Sequence, residues 1–297
     1  MRVLITGAGG QVGHDLVEAC SGRLPAAADP EFAAGKLPEG WEVRGLDRAA
    51  LDVADPAAVS AAIADFQPGL IFHAAAYTAV DRAEAEPAQA AAVNLDGTAN
   101  VARAAEQCGA HLVAISTDYV FDGFATTPYR ELDPTSPLSV YGRTKLAGEQ
   151  ACPAAATIAR TSWVVGLHGS NIVKTILRLA DAGQHLTFVD DQFGSPTSSA
   201  DLAVALVALG QARTPGIVHV TNSGTTSWFE LARLVLETAG LSPDLVTPIA
   251  TADRLPAPPA TRPMYSVLDG TRLAELGIGP LPPWDLAFRR LVRMLRS

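Results

Sequence analysis

A chain of 297 residues with 48% apolar content can bury a sizeable core, as one elaborated α/β domain or as a domain with a smaller lobe. Its charged residues are 18% of the chain and sum to a formal net charge of -9. That balance repels nucleic-acid phosphates and anionic membrane surfaces, and no basic patch offsets it, so neither is expected as a partner. No apolar run approaches the roughly 20 residues that span a bilayer. No basic and apolar leader precedes the first strand. Cys20, Cys108 and Cys152 fit no metal-ligand or disulfide spacing, so a soluble cytoplasmic protein with reduced thiols is expected.

In chain order, strands are predicted near Val3–Thr6, Glu42–Leu46, Leu70–His73 and Leu112–Ser116, with helical runs over Val59–Phe66 and Ala88–Gln107 between them. The alternation predicts an α/β fold: a doubly wound parallel sheet of Rossmann type. Ser21–Gly40 interrupts it with Ala, Pro and Gly and reads as an inserted, mobile loop. Beyond the strand Ile158–Arg160 the pattern loosens, with prolines clustered at Pro256–Pro263 and Pro280–Pro283, which predicts a smaller mixed α/β lobe. The expected division is residues 1–165 for dinucleotide binding, with 186–220 returning to that domain through strands at Leu186–Val189 and Ile217–Val220. Residues 166–185 and 221–297 would form the substrate lobe.

The segment Thr6-Gly7-Ala8-Gly9-Gly10-Gln11-Val12-Gly13 joins a strand to an amphipathic run. Glycines there allow a tight turn and a close approach of pyrophosphate to backbone, and the helix start supplies free N–H groups and partial positive charge. Gly7, Gly10, Gln11, Val12 and Gly13 are therefore candidate cofactor contacts. Asp47, at the end of the second strand, can accept ribose hydroxyls as in NAD sites, while Arg48 beside it could hold a 2′-phosphate, so NADH and NADPH both remain open. Asp52 and Val53 could flank an adenine, although an Asp at that place serves equally well as a helix cap.

Tyr141-Gly142-Arg143-Thr144-Lys145 sets a phenol and an ammonium on one face of a helix. A phenol with a pKa of about 10 can serve as a proton donor near neutrality if a cation stabilises the phenolate left behind. Thr117 follows the fourth predicted strand, at the carboxyl edge where doubly wound sheets bind ligands, and its hydroxyl can hold a carbonyl oxygen near Tyr141. A strand end or a turn cap is the plainer reading of Ser116 and Thr117.

Taken together, TGAGGQVG from Thr6, HAAAYTAVDRAE from His73, VNLDGT from Val93, STDYVFDG from Ser116, PLSVYGRTKLAGEQ from Pro137, RTSWV from Arg160 and VDDQFGSPT from Val189 carry a specific resemblance over nearly the whole chain. The sequence resembles the extended short-chain dehydrogenase/reductase superfamily and, within it, the dTDP-4-dehydrorhamnose reductase family. The resemblance implies reduction of the C4 keto group of dTDP-4-dehydro-6-deoxy-L-mannose to dTDP-L-rhamnose for cell-envelope polysaccharide. It implies Tyr141 as proton donor, Lys145 lowering its pKa, and Thr117 acting on the carbonyl. It also implies cofactor along Gly7–Gly13 and Ala74, Ala75 and Ala76, and sugar contacts from Thr117, Asp118 and Trp163, the last of which reads equally as a core tryptophan.

Some members of that family hold Mg²⁺ at a homodimer contact through acidic side chains. Asp15, Asp190 and Asp191 stand near the corresponding positions, with Asp15 where those members have glutamate, so no metal ligand is assigned and the homodimer stays open. Two other functions fit the same fold. A related epimerase or dehydratase would regenerate its own cofactor, but a dehydratase would be expected to carry an Asp-Glu pair after the threonine, where this chain has Asp118-Tyr119. A non-catalytic dinucleotide-binding subunit, like the regulatory subunit of methionine adenosyltransferase, would bind cofactor without consuming it.

Overall fold

The computed structural model describes residues 1–297. A six-stranded parallel sheet forms its centre, built from β1 (Arg2–Thr6), β2 (Glu42–Leu46), β3 (Leu70–His73), β4 (His111–Thr117), β5 (Thr157–Thr161) and the strand Gly216–His219. Their spatial order is Gly216–His219, β5, β4, β3, β1, β2. The chain therefore runs outward from β1 to β2 and crosses back to β3, and the crevice between the ends of β1 and β3 is the switch point at which such sheets bind ligands.

Both faces of the sheet are covered. Along β1, Val3 and Ile5 enter one core while Leu4 enters the other, and along β3 Leu70 and Phe72 oppose Ile71 in the same way. This alternation is the two-residue side-chain period of a strand buried on both sides. Helices α1 (Gln11–Cys20) and α9 (Ser199–Ala212) pack together on the first face. On the second lie α3 (Pro56–Phe66) and α6 (Gly97–Cys108). The start of α3 is fixed by Asp55, whose carboxylate accepts the N–H groups of Ala57 and Ala58 at 2.9 and 3.1 Å, with Pro56 opening the first turn.

Several expectations change. The run Ala88–Gln107 is interrupted: α5 (Pro87–Ala91) passes through a π-helical turn at Ala92–Asp96 before α6. The wide turn turns Asn94 inward, where its side chain accepts Tyr77 N–H at 2.8 Å and donates to Thr144 Oγ1 at 3.1 Å. Leu186–Val189 does not return to the main sheet. It pairs in parallel with Val246–Ile249 in a separate two-stranded sheet, because the edge beside β5 is already taken by Gly216–His219.

The Ser21–Gly40 insertion is docked rather than loose. It contains α2 (Pro30–Ala33), and Ala27, Ala28 and Ala33 are buried with Val173, Leu231 and Phe288 in the core of the second lobe. Arg290 holds it from the C-terminal helix, pairing with Asp29 at 2.8 Å and with the fully buried Asp201 at 3.1 Å. No helix is long and apolar enough to cross a membrane.

Candidate functional site

Two adjoining cavities open over the switch point, and Gly10, Ala74 and Ala76 line both. The first, of about 390 Å³, is walled by Gly7, Gly10, Asp47, Arg48, Asp52, Val53 and Ala74–Ala76. The second, of about 410 Å³, takes in Gln11, Val12, Gly13, Thr117, Asp118, Tyr141, Lys145 and Trp163. Every residue singled out in the sequence for cofactor, catalysis or substrate thus lines one cavity or the other.

The glycine turn is built tightly. Gly7 has φ +71°, and a Cβ on it would stand 2.5 Å from the Ala75 nitrogen, so the turn after β1 and the alanine segment after β3 touch backbone to backbone. No side chain caps the first turn of α1. Its N–H groups therefore face the crevice, as an anion site requires. The residues fit an extended dinucleotide: backbone donors at Gln11–Gly13, the carboxylate and guanidinium of Asp47 and Arg48 at the far end, and small alanines between. The Gln11 side chain has another duty, accepting Gly166 N–H at 2.9 Å and Asn171 Nδ2 at 3.0 Å. Asp55, not Asp52, caps α3, while Asp52 Oδ1 accepts Ala54 N–H at 3.0 Å in the turn before it.

His73 closes the crevice from below. Its Nδ1 lies 2.7 Å from Thr6 Oγ1 and its Nε2 3.1 Å from Thr98 Oγ1, joining β1, β3 and α6. Burial, with the Lys145 charge adding to it, pushes its pKa down to about 3, so the imidazole is neutral.

Tyr141 and Lys145 lie on α7 (Val140–Gln150), capped by Ser139, whose hydroxyl accepts Gly142 N–H at 3.1 Å. Gly142 and Gly148 let this helix press against its neighbours: a Cβ would come within 2.2 Å of the Tyr119 oxygen and 2.3 Å of the Asn94 oxygen. The half-buried phenol lines the same cavity as the Thr117 hydroxyl, which donates to Asp118 Oδ1 at 3.1 Å and accepts Tyr119 N–H at 3.2 Å. The Tyr119 ring meets that of Tyr141 edge-on at 5.5 Å. Lys145 is buried and donates to the Ile115 carbonyl at 2.7 Å. Burial brings its pKa from 10.5 down to about 8, with Glu149 opposing the fall.

Burial raises the phenol to about 12, with Thr117 pulling it down and the Asp118 charge pushing it up.

Asp118 is buried, and one of its carboxylate oxygens, Oδ2, has no hydrogen-bond partner. Burial raises its pKa to about 6, opposed by the neighbouring hydroxyls of Ser266 and Thr117, the latter donating to Oδ1 at 3.1 Å. Trp163 lines the cavity and stacks on Trp228 with centroids 3.7 Å apart. Tyr119 and Trp228 are cavity residues that sequence reasoning did not assign to the site; Tyr119 sits within the STDYVFDG motif, whereas no local motif marks Trp228. Arg262 pairs with Asp81 at 2.7 Å and lines a neighbouring cavity.

Within the single chain the acidic residues weighed for Mg²⁺ do not form a group of three or more metal-ligating side chains. Asp15 is buried, with Ser199 donating to it, while Ser227 donates to Asp190 and Thr251 to Asp191.

Comparison with known proteins agrees with this geometry. The family model described as RmlD substrate binding domain matches residues 1–297. A dTDP-4-dehydrorhamnose reductase of Streptomyces griseus is 42% identical, covering 96% of this chain and 91% of its own length. That of Mycolicibacterium smegmatis is also 42% identical, over 98% and 85%. The crystal structure of the Bacillus anthracis dTDP-4-dehydrorhamnose reductase in complex with NADP superposes with a TM-score of 0.88 at 36% identity, covering 99% of each chain. A dTDP-glucose 4,6-dehydratase of Streptomyces venezuelae, at 21% identity and a TM-score of 0.79, shares the fold alone. With a family model spanning its full length and relatives above 40% identity, the chain belongs to the dTDP-4-dehydrorhamnose reductase family.

Proposed function

We propose that this protein reduces the C4 keto group of dTDP-4-dehydro-L-rhamnose to dTDP-L-rhamnose, using NADPH or NADH. The observation that carries the reading is one cavity wall shared by Thr117, Tyr141 and Lys145, adjoining the glycine turn through Gly10, Ala74 and Ala76. When bound, the reduced nicotinamide supplies the hydride. The protein's residues do the rest. Thr117 and Tyr141 hold the carbonyl oxygen between two hydroxyls, and Tyr141 gives its proton to that oxygen as negative charge develops. Lys145 contributes positive charge beside the phenolate that remains. The unpartnered Asp118 oxygen accepts a sugar hydroxyl, which removes the cost of an unsatisfied buried acceptor. The Trp163 ring, backed by Trp228, offers an apolar wall to the sugar.

In this reading residues 1–165 hold the dinucleotide and the second lobe holds the nucleotide end of the sugar. A cytoplasmic location accords with three unpaired cysteines.

The test is loss of reduced-nicotinamide absorbance with dTDP-4-keto-6-deoxy sugars, measured for the native enzyme and for Tyr141→Phe. Removing a general acid costs about 10²-fold or more in kcat, whereas cofactor binding should persist. Near-native turnover by the variant would remove Tyr141 from the chemistry. Turnover without added NAD(P)H would point to an epimerase or dehydratase, and cofactor binding with no consumption to a regulatory subunit.

A further inference from the structure

Two crosslinks tie α7 to β4, and one of them belongs to no part of the chemistry above. Lys145 donates to the Ile115 carbonyl, and Ser116, the next residue of β4, donates its hydroxyl to Glu149, one helical turn beyond Lys145. Glu149 is itself held by Arg160 of β5 through two bonds, at 2.9 and 2.7 Å, with side-chain exposures of 5% and 3%. The far side of the guanidinium is sealed by the Phe121 ring, the Glu131 carbonyl and His219. Burial and the Arg160 charge keep that imidazole neutral, with a pKa of about 3.

A buried pair of this kind contributes little to net stability, since desolvation offsets most of its attraction, so its placement calls for another reason. The surroundings of Lys145 supply one. It faces Glu149 on its own helix, Cys152 just beyond the helix end, and His73 on β3. His73 is neutral and burial lifts the Cys152 thiol to about 11, which leaves Glu149 as the anion among them. Asp118 acts on Tyr141 and Tyr119 instead.

We propose that Glu149 is a positioning residue for the reduction: fixed by Arg160 and Ser116, it is the counter-charge that keeps the buried Lys145 ammonium protonated at working pH. The proposal rests on the reductase reading, and the test separates the two. Native enzyme that consumed no NAD(P)H would refute the reading itself; the predictions below apply to enzyme that turns over.

The pH profile of kcat/KM for native protein should lose activity as Lys145 gives up its proton. In Glu149→Gln that alkaline limb should fall by about one pH unit, as expected for losing one nearby opposite charge, while cofactor affinity below the limb stays unchanged. Glu149→Asp keeps the charge and should keep the native limb. Because Glu149→Gln strands a buried guanidinium and could fail to fold, the pair Glu149→Gln with Arg160→Met provides a variant without an unpaired charge. Its limb should also fall, since Glu149, one helical turn from Lys145, is the member of the pair whose charge acts on it. A purely structural role would lower kcat at every pH and leave the limb in place. An unmoved limb in a folded, active Glu149→Gln or double variant overturns the proposal, as does a limb in Glu149→Asp that falls as far as in Glu149→Gln.

Discussion

Lys145→Met should abolish most turnover and yet make the protein more stable at neutral pH. Lys145 is 6% exposed, and burial brings its pKa from 10.5 to about 8. At 1.36 kcal/mol per unit, holding that charge inside costs about 3 kcal/mol wherever the side chain is protonated in both states. Methionine fills a similar volume without charge but leaves the Ile115 carbonyl without its donor, which returns about 1 kcal/mol of the gain. The net gain is about 2 kcal/mol, or roughly 3 °C in Tm for a chain of this length.

The effect has a pH signature. Between about 8 and 10.5 the unfolded lysine keeps its proton while the folded one has released it, so unfolding takes up a proton and native stability rises with pH. The advantage of Lys145→Met is therefore full below pH 8 and shrinks toward 10.5. Urea denaturation of cofactor-free protein at several pH values between 7 and 10 measures it. A variant less stable than native at pH 7, by a margin that does not change with pH, would refute the reasoning.

Three further substitutions test the crevice and the docked insertion. Asp47→Ala should weaken NADH by about tenfold, the value of one or two charge-assisted hydrogen bonds. Arg48→Ala should weaken NADPH selectively; fluorescence titration with each cofactor reads both, and equal losses for the two cofactors would exclude the assigned division of labour. Arg290→Met leaves the fully buried Asp201 without its guanidinium and should cost about 3 kcal/mol. It should also speed proteolytic cleavage within residues 21–40, and native resistance there would show that the insertion is held by its alanines alone.

Much of the fold and site was legible because the signals are local. The buried stretches Val3–Ile5 of β1 and Leu70–Phe72 of β3 are wholly apolar, and Tyr141 and Lys145 share a helix, so their common face follows from spacing alone. Thr117 was legible because it closes a strand at a known edge of the sheet. What escaped depends on partners distant in the chain. The stacking of Trp163 on Trp228 joins segments that no periodicity relates. The pairing of Leu186–Val189 with Val246–Ile249 is a choice among strands, which hydrophobic pattern does not encode. Ser21–Gly40 looked loose because its small apolar residues are too few to form a core alone; they complete one built mainly by residues far downstream.

The direction of Lys145 was illegible for the same reason, and it alters how the proton transfer is understood. In the resting site the ammonium faces Ile115 while burial holds the phenol at about 12. Such a phenol remains strong enough for the task. In the proposed reaction the acceptor is an alkoxide developing at C4, whose conjugate alcohol is a weaker acid than a phenol. Transfer from Tyr141 to that oxygen is therefore downhill. The charge of Lys145 matters afterwards, when a buried phenolate would otherwise stand beside the carboxylate of Asp118. Stabilising the phenolate and lowering the Tyr141 pKa are one electrostatic effect, so the proposed roles of Tyr141 and Lys145 both require the ammonium to stay charged, and the burial that makes Lys145 costly to charge is what Glu149 is proposed to counter.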